Sequence, residues 1–161
     1  MDADTLRREI EQFLATHHVI NLGTRTGTPH IASLMYAIDG LTLIWESRLD
    51  TRHSQHLLTD ARVAATIAPD YTDHRDIRGL QIFGTAKRIA EGEDLDRAKQ
   101  LLIERYSFIR ELASGPMREK FHGAGFYRLS PERITFIDCT KGFGTTNSLL
   151  VRAGGEVSLS A

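Results

Sequence analysis

The chain has 161 residues, a formal net charge of −1, 41% hydrophobic residues and 25% charged residues. This length and composition are typical of one globular domain, so we expect residues 1–161 to form a single domain. A net charge this close to zero predicts no general nucleic-acid-binding or membrane-binding surface. The single Cys139 excludes an intrachain disulfide, and no signal-peptide or transmembrane pattern is visible, so we expect a cytoplasmic protein.

The N-terminal part predicts a helix followed by a β-hairpin. Apolar residues recur at helical spacing at Leu6, Ile10, Phe13 and Leu14. This helix should end near Thr16. The segments HHVINLGTR and HIASLMYAI then flank the turn signal TGTP, which indicates two paired strands. The dipeptide Asp39-Gly40 favours a tight turn into a further strand, LTLIWES.

The rest of the chain mixes strands and short helices. A short helix is predicted around residues 52–59, then a strand in RVAATIAP and a long strand in IRGLQIFGTAKRIA. Three helices should follow, in DLDRAKQLLIERY, SFIRELAS and PMREKFHG. GFYRLSPERITFIDCT predicts two strand pieces around Pro131. The tail 141–161 has few large apolar residues, and we expect it to be only partly ordered.

These elements predict a mainly β, α+β fold. Six or seven strands are joined mostly by tight turns, which favours an antiparallel sheet. A small closed or half-closed barrel with peripheral helices is the natural architecture. The barrel should span about residues 17–140, with residues 141–161 as a C-terminal tail.

The segment SRLDTRHSQHLL, residues 47–58, is the first candidate binding site. Thr51 can cap the predicted helix, and a helix start attracts anions through its free N–H groups. Arg48, Arg52 and His53 surround this start, and arginine suits phosphate oxygens. Residue types alone leave two interpretations open: a phosphate pocket or a solvated basic turn.

The long strand supplies the second candidate. With a period of two, Gln81 faces away from Arg78, Leu80 and Ile82. Its amide offers a donor and an acceptor, as the edge of a heteroaromatic ligand requires, although an exposed edge glutamine is the alternative.

Histidine side chains are common ligands of metal ions and of haem iron. His53 and His56 stand three residues apart on the predicted helix, but no carboxylate or cysteine completes a metal set nearby in sequence. We therefore predict no metal site. For His17 and His18, a haem-ligand role is the alternative to ordinary structural positions.

The order of these elements resembles the FMN-binding split barrels of the pyridoxamine 5′-phosphate oxidase-like superfamily. The matching stretches are TRHSQHLL, RVAATI, IRGLQIFGTAKRI and YRLSPERITFID, within roughly residues 5–140. The chain looks closest to a small bacterial branch with TRH, RGxQ and LGFG-like elements, the last at Lys141–Gly144. The resemblance to that branch does not indicate which reaction the protein catalyses.

The resemblance implies a homodimer with two FMN sites between the barrels. It implies that Thr51, Arg52 and His53 hold the flavin phosphate, and that strand residues 32–36 and 43–47 line the isoalloxazine. The cofactor-binding candidates are Ser33, Ser47, Arg48, Thr51, Arg52, His53, Gln81 and Lys87. For Lys87, a solvated strand end is the alternative.

The implied activity is that of a flavin-dependent oxidoreductase acting on a small-molecule substrate, with NAD(P)H as a candidate electron donor. No side chain is identified as a catalytic acid or base. True pyridoxamine phosphate oxidases carry an Arg and His pair beyond the last strand, and the tail TTNSLLVRAGGEVSLSA lacks it, so vitamin B6 oxidation is not expected. Two alternatives remain: a reductase using the deazaflavin F420, with Arg48 and Arg75 on its acidic tail, or a non-catalytic flavin- or haem-binding module.

Overall fold

The computed structural model describes residues 1–160, which contain nine strands, five α-helices and two 3₁₀ turns. The helices are α1 (Ala3–Thr16), α2 (Arg52–His56), α3 (Glu93–Arg105), α4 (Ser107–Ser114) and α5 (Arg118–Gly123). The strands are β1 (Val19–Thr26), β2 (Thr28–Met35), β3 (Ala37–Asp39), β4 (Thr42–Ser47), β5 (Arg62–Ile67), β6 (Arg78–Arg88), β7 (Gly125–Asp138), β8 (Thr146–Val151) and β9 (Val157–Leu159).

The strands form one curled antiparallel sheet with the order β2-β1-β5-β6-β7-β4-β3, while β8 pairs with β7 and β9 with β8. The predicted split-barrel architecture with peripheral helices is therefore confirmed. The 14-residue β7 pairs with β6 along one edge, while on its other edge its first part pairs with β4 and its last part with β8. Between them lies a bulge at Pro131, where β6 changes register at Phe83/Gly84.

Gly84 is needed at this bulge. A Cβ at position 84 would lie 2.2 Å from the carbonyl oxygen of Ser130, which is closer than any atom pair tolerates. Glycine lets the two backbones approach, as is common at bulges. The G-x-A element Gly84–Ala86 therefore has a structural explanation within the single chain.

The barrel interior forms the main core. Helix α1 starts at Asp2, whose side chain accepts a hydrogen bond of 2.8 Å from the Thr5 N–H. Its buried face is the one predicted: Leu6, Ile10, Phe13 and Leu14. They pack on strand residues such as Leu22 and Phe136. Each such side chain contributes about 1.5–3 kcal/mol of transfer free energy, so α1 is firmly held.

A second core lies outside the barrel under helices α3 to α5. It joins Ala98, Leu102, Ile109 and Phe121 to strand residues Ile44 and Phe126. Tyr106, at the junction of α3 and α4, is buried here and donates its hydroxyl proton to the Tyr36 carbonyl. Ala98 and Leu102 are four residues apart on α3 and therefore lie on one face of the helix.

Four sequence expectations differ from the structure. The segment HIASLMYAI is broken at Tyr36, so that β2 pairs with β1 and β3 with β4. The segment around Pro131 is one strand, because the bulge accommodates the missing proline N–H. The expectation of a partly ordered tail is wrong for residues 146–159, since β8 continues the sheet on β7 and buries Leu149. The helix predicted around 52–59 ends at His56.

Candidate functional site

The junction between β4 and α2 contains the largest group of predicted site residues. Thr51 caps α2, and its Oγ1 accepts from the Ser54 N–H at 3.4 Å. The same oxygen donates to the Arg48 carbonyl at 3.0 Å. Ser47 ends β4, with its Oγ 3.4 Å from Thr51 Oγ1. The structure thus brings Ser47, Arg48, Thr51, Arg52 and His53 together, as their closeness in sequence requires.

His53 is buried at this junction and is only 6% exposed. Its Nε2 lies 2.7 Å from Ser47 Oγ and 3.1 Å from Thr51 Oγ1. Burial lowers the pKa of the imidazole below its ordinary value, and the neighbouring His30 and His56 lower it further. His53 is therefore neutral at neutral pH and holds the two hydroxyls in position.

Two more histidines stand beside His53. The His30 ring is stacked at 6.1 Å from the His53 ring, and the His56 ring meets His30 edge-on at 6.0 Å. Thr24 Oγ1 lies 3.1 Å from His56 Nδ1. Within residues 1–160, no three His, Cys, Asp or Glu side chains form a group that could hold a metal ion.

His30 and Thr24 were missed by the sequence reasoning, although a signal for them existed. The hairpin turns at Gly27, with φ of 71°, so that Thr26 pairs with Thr28 and Thr24 with His30. Counting outward from TGTP would have placed these two side chains opposite each other. Their contact with α2 could not be predicted from such a count, because it depends on how the helix packs on the hairpin.

The two arginines of the junction differ in their availability. The exposed Arg48 forms an ion pair with Asp50. The exposed Arg52 makes no side-chain hydrogen bond or ion pair with any of residues 1–160, so its donors are free for a ligand. Helix α2 has only five residues and sums few peptide dipoles. Anion binding here would therefore depend on side chains more than on the helix.

Ser33 and Gln81 lie elsewhere, on the convex side of the sheet, which we call the outer face. Strand pairing aligns six polar residues across this face, which we call the polar row: Ser33, Asn21, Thr66, Gln81, Thr135 and Ser148. Ser33 Oγ donates to Asn21 Oδ1 at 2.8 Å, and Thr135 Oγ1 lies 2.8 Å from Ser148 Oγ. Gln81 lines a groove of about 430 Å³ on this face.

A second row lies next to the polar row and is apolar. It consists of Ile31, Gly23, Ala64 and Phe83 and is called the apolar row. Ile31 is 69% exposed and Phe83 is 39% exposed. Both line a further groove of about 500 Å³. The apolar row therefore exposes two large hydrophobic side chains, Ile31 and Phe83, on the outer face.

Lys87 lies apart from both groups. It is exposed on β6 opposite Arg128, in a depression of about 660 Å³ that also contains Glu91, Glu93 and Asp94. Within residues 1–160, no side-chain hydrogen bond or ion pair joins the α2 junction, Gln81 and Lys87 to one another.

A ligand at strand residues 43–47 would meet backbone groups more than side chains. Leu43, Ile44 and Trp45 are fully buried in the two cores. Strand β3 begins at Ala37, which lies opposite Ile44, so Trp45, Glu46 and Ser47 have no strand on that edge within residues 1–160. Burial raises the pKa of the Glu46 carboxyl. This half-buried acid was not identified from the sequence.

Comparison with known proteins finds a matching family and relatives of similar length. The family model described as pyridoxamine 5′-phosphate oxidase matches residues 6–138. A relative named UPF0306 protein, from Serratia proteamaculans, is 28% identical over 148 residues, covering 90% of this chain and 95% of the relative. No helix within residues 1–160 has both the length and the apolar character that crossing a membrane requires.

Two solved structures show the same fold. A heme-binding protein from Mycobacterium smegmatis has a TM-score of 0.72 and 20% identity, covering 89% of this chain and 57% of that chain. An FAD-binding protein from Mesorhizobium loti has a TM-score of 0.62 and 16% identity, covering 80% of this chain and 91% of that chain. At these identities the likeness shows the fold alone.

Proposed function

We propose that the chain binds FMN and acts as a flavin-dependent oxidoreductase, because it belongs to the pyridoxamine 5′-phosphate oxidase family. The observation that carries this proposal is the β4–α2 junction. There, a free arginine stands next to hydroxyl groups held by a buried imidazole. Arginine and hydroxyl donors suit a phosphate ester, and here they stand where the resemblance in the sequence implies the flavin phosphate.

The residues present fit a flavin phosphate. Arg52 has free donors, and the Thr51 hydroxyl beside it would have to turn its proton from the Arg48 carbonyl to the phosphate. Ser47 and His53 would position that hydroxyl, since Nε2 of His53 contacts both oxygens. Arg48 would contribute less, because Asp50 already compensates its charge. When bound, FMN supplies the hydride and electron transfer chemistry, while the chain binds and orients it.

The outer face supports a homodimer. The apolar row and the polar row form a continuous exposed surface that a second copy could cover. Ser33 and Gln81 on this surface would then lie at the subunit interface, where the isoalloxazine and ribityl groups of a flavin need polar contacts. Lys87, at the far end of β6, would contact a flavin only if the dimer brings it to the site.

The substrate is a small molecule of unassigned identity, and NAD(P)H is the proposed electron donor. A reducing cytoplasm suits the free Cys139. The tail forms β8 and β9, and the pair of residues that would bind pyridoxamine phosphate has no counterpart in it. Vitamin B6 oxidation therefore stays outside the proposal.

Haem is the second candidate ligand, favoured by the fold shared with the heme-binding protein of Mycobacterium smegmatis. His18 is exposed and available, whereas His17 is held by Phe13, with Nδ1 2.8 Å from its carbonyl oxygen. F420 is less favoured, because Arg48 and Arg75 are already paired with Asp50 and Asp73.

The absorption spectrum of the purified protein, before and after anaerobic addition of NADPH or NADH, tests these alternatives. Flavin bands that bleach on reduction support the proposed oxidoreductase. A Soret band supports haem binding, and uptake of F420 by colourless protein supports the deazaflavin alternative. Protein that neither contains nor binds FMN at micromolar concentration contradicts the proposal.

A further inference from the structure

Three imidazole rings lie together between helix α2 and the β1–β2 hairpin, and we call His30, His53 and His56 the histidine cluster. The His30 ring is stacked at 6.1 Å from the His53 ring and meets the His56 ring edge-on at 6.0 Å. Helix α2 packs on both β1 and β2, so the fold holds the three rings together. His53 is buried, but His30 is only half-buried and lines the groove of about 500 Å³, which gives protons access from water.

The histidine cluster is connected to the proposed phosphate site through two hydroxyl groups. His53 Nε2 lies 2.7 Å from Ser47 Oγ and 3.1 Å from Thr51 Oγ1. A phosphate that accepts a hydrogen bond from Thr51 would therefore lie two hydrogen bonds from the imidazole. Once the Thr51 hydroxyl turns its proton to the phosphate, its oxygen can only accept from Nε2. A bound phosphate thus favours a hydrogen atom on His53 Nε2.

Within residues 1–160, none of the three imidazoles forms an ion pair with a carboxylate. The charged side chains on the elements and loops around the cluster are Arg25, Glu46, Arg48, Asp50, Arg52, Asp60 and Arg62. Asp60 is paired with Arg25 and Arg62, and Asp50 is paired with Arg48. Glu46 lies on the opposite face of β4 from Ser47, because side chains alternate along a strand. A proton on the cluster therefore has no counter-ion until an anion binds.

A bound phosphate ester would supply this counter-ion. Burial lowers the pKa of His53 and the two neighbouring imidazoles lower it further, so the ring is uncharged in the phosphate-free protein at neutral pH. A phosphate monoester carries nearly two negative charges at neutral pH, and an anion within roughly 4–6 Å favours the imidazolium form. Repulsion between rings that lie about 6 Å apart limits the cluster to one added proton.

We propose that binding of a phosphate ester at the β4–α2 junction is coupled to the uptake of one proton by the histidine cluster, so that FMN is held more tightly as the pH falls. This inference rests on the proposed function, since it requires the flavin phosphate at this junction. By linkage, the FMN-loaded protein loses less stability on acidification than the flavin-free protein. The histidine cluster thereby makes retention of the cofactor sensitive to pH.

Calorimetric titration of the flavin-free protein with FMN, in two buffers that differ in ionisation enthalpy, measures the protons taken up. We expect about 0.3–1 proton per FMN between pH 6.5 and pH 7.5, and an affinity that rises about two- to tenfold per pH unit on acidification. The FMN phosphate can only release protons when it binds as the dianion, so net uptake comes from the protein. Riboflavin has the same ring without the phosphate and should bind without proton uptake. Equal uptake for FMN and riboflavin overturns the inference.

A pair of histidine variants locates the proton. His53→Gln removes the titrating ring but keeps a hydrogen-bond donor, and it should reduce the proton uptake to near zero. His122→Gln, at an exposed histidine of α5, should retain the full uptake. Equal uptake in the two variants overturns the role of the cluster. The comparison of FMN with riboflavin needs no variant, so it decides the question even where His53→Gln does not fold.

The failure of this inference is distinguishable from the failure of the proposed function. Absence of FMN binding at micromolar concentration overturns both. FMN binding without proton uptake, and with an affinity that stays constant between pH 6.5 and pH 7.5, overturns the coupling alone. FMN binding with uptake that is lost in His53→Gln supports both.

Discussion

His53 and Ser47 form a buried hydrogen bond that connects α2 to the end of β4, with Nε2 of the imidazole 2.7 Å from Oγ of the hydroxyl. Ser47 is only 8% exposed, so little water competes for this contact. The five residues before His53 are thereby closed into a short loop, in which Thr51 also contacts Nε2 at 3.1 Å. The proposed phosphate site thus depends on the hydrogen-bonded pair of Ser47 and His53, which is shielded from solvent.

Replacing Ser47 with alanine should destabilise the protein and weaken FMN binding. The substitution removes one of the two hydroxyl contacts of a buried imidazole, which costs about 1–3 kcal/mol of unfolding free energy. Denaturant unfolding and FMN titration measure the two effects. The control is Ser130→Ala, at an exposed serine that makes no side-chain hydrogen bond within residues 1–160. Equal unfolding midpoints for both variants would contradict the prediction.

Replacing Arg52 with glutamine should weaken FMN binding by about ten- to a hundredfold, because a charge-assisted hydrogen bond is worth about 1.5–3 kcal/mol. Fluorescence titration of the flavin-free protein gives the dissociation constant. Arg110→Gln is the control, at an exposed arginine of α4 without an ion pair among the described residues. Unchanged affinity in Arg52→Gln would remove Arg52 from the site.

Replacing Ile31 with glutamate should dissociate the proposed homodimer. A carboxylate at the β2 end of the apolar row would be desolvated without a partner in the dimer, which costs several kcal/mol. Light scattering after gel filtration reports the mass in solution. Leu58→Glu is a matched control, since Leu58 is 72% exposed and Ile31 is 69% exposed, but Leu58 lies outside the outer face. A monomeric unaltered protein would refute the dimer directly.

Stability should fall on acidification because of His53. Its pKa in the folded protein is below the ordinary value of 6.5, chiefly through burial and then through His30 and His56. The unfolded state therefore binds a proton more readily, so this contribution is fully present above pH 6.5 and is lost as the pH falls through the folded pKa. Unfolding midpoints between pH 8 and pH 5 measure it. His53→Gln should show a flatter profile, and the exposed His122→Gln should not.

Replacing Glu46 with glutamine should stabilise the protein at neutral pH. Burial raises the pKa of this carboxyl above its ordinary 4.5, so the folded state resists its ionisation. Its favourable contribution is present at acid pH and is lost as the pH rises through the folded pKa. We expect a gain of about 0.5–2 kcal/mol, as for other single stabilising changes. A gain equally large at pH 4 would show that charge is not the cause.

Local patterns in the sequence determined most of the elements. The buried face of α1, the hairpin around Gly27 and the alternation that exposes Gln81 while burying Leu80 and Ile82 all follow from periods of 3.6 and 2. The β4–α2 junction was predicted as a site for the same reason, since its residues are neighbours in the chain. The conformation of a short segment is set mainly by the residues within that segment.

The tertiary structure decided everything that joins distant segments. It placed His30 beside His53, aligned Ser33 with Gln81 across the two strands between them, and attached the tail to β7 as β8. Such contacts depend on sheet order and register, which arise from packing of the whole core and leave no periodic trace in the sequence.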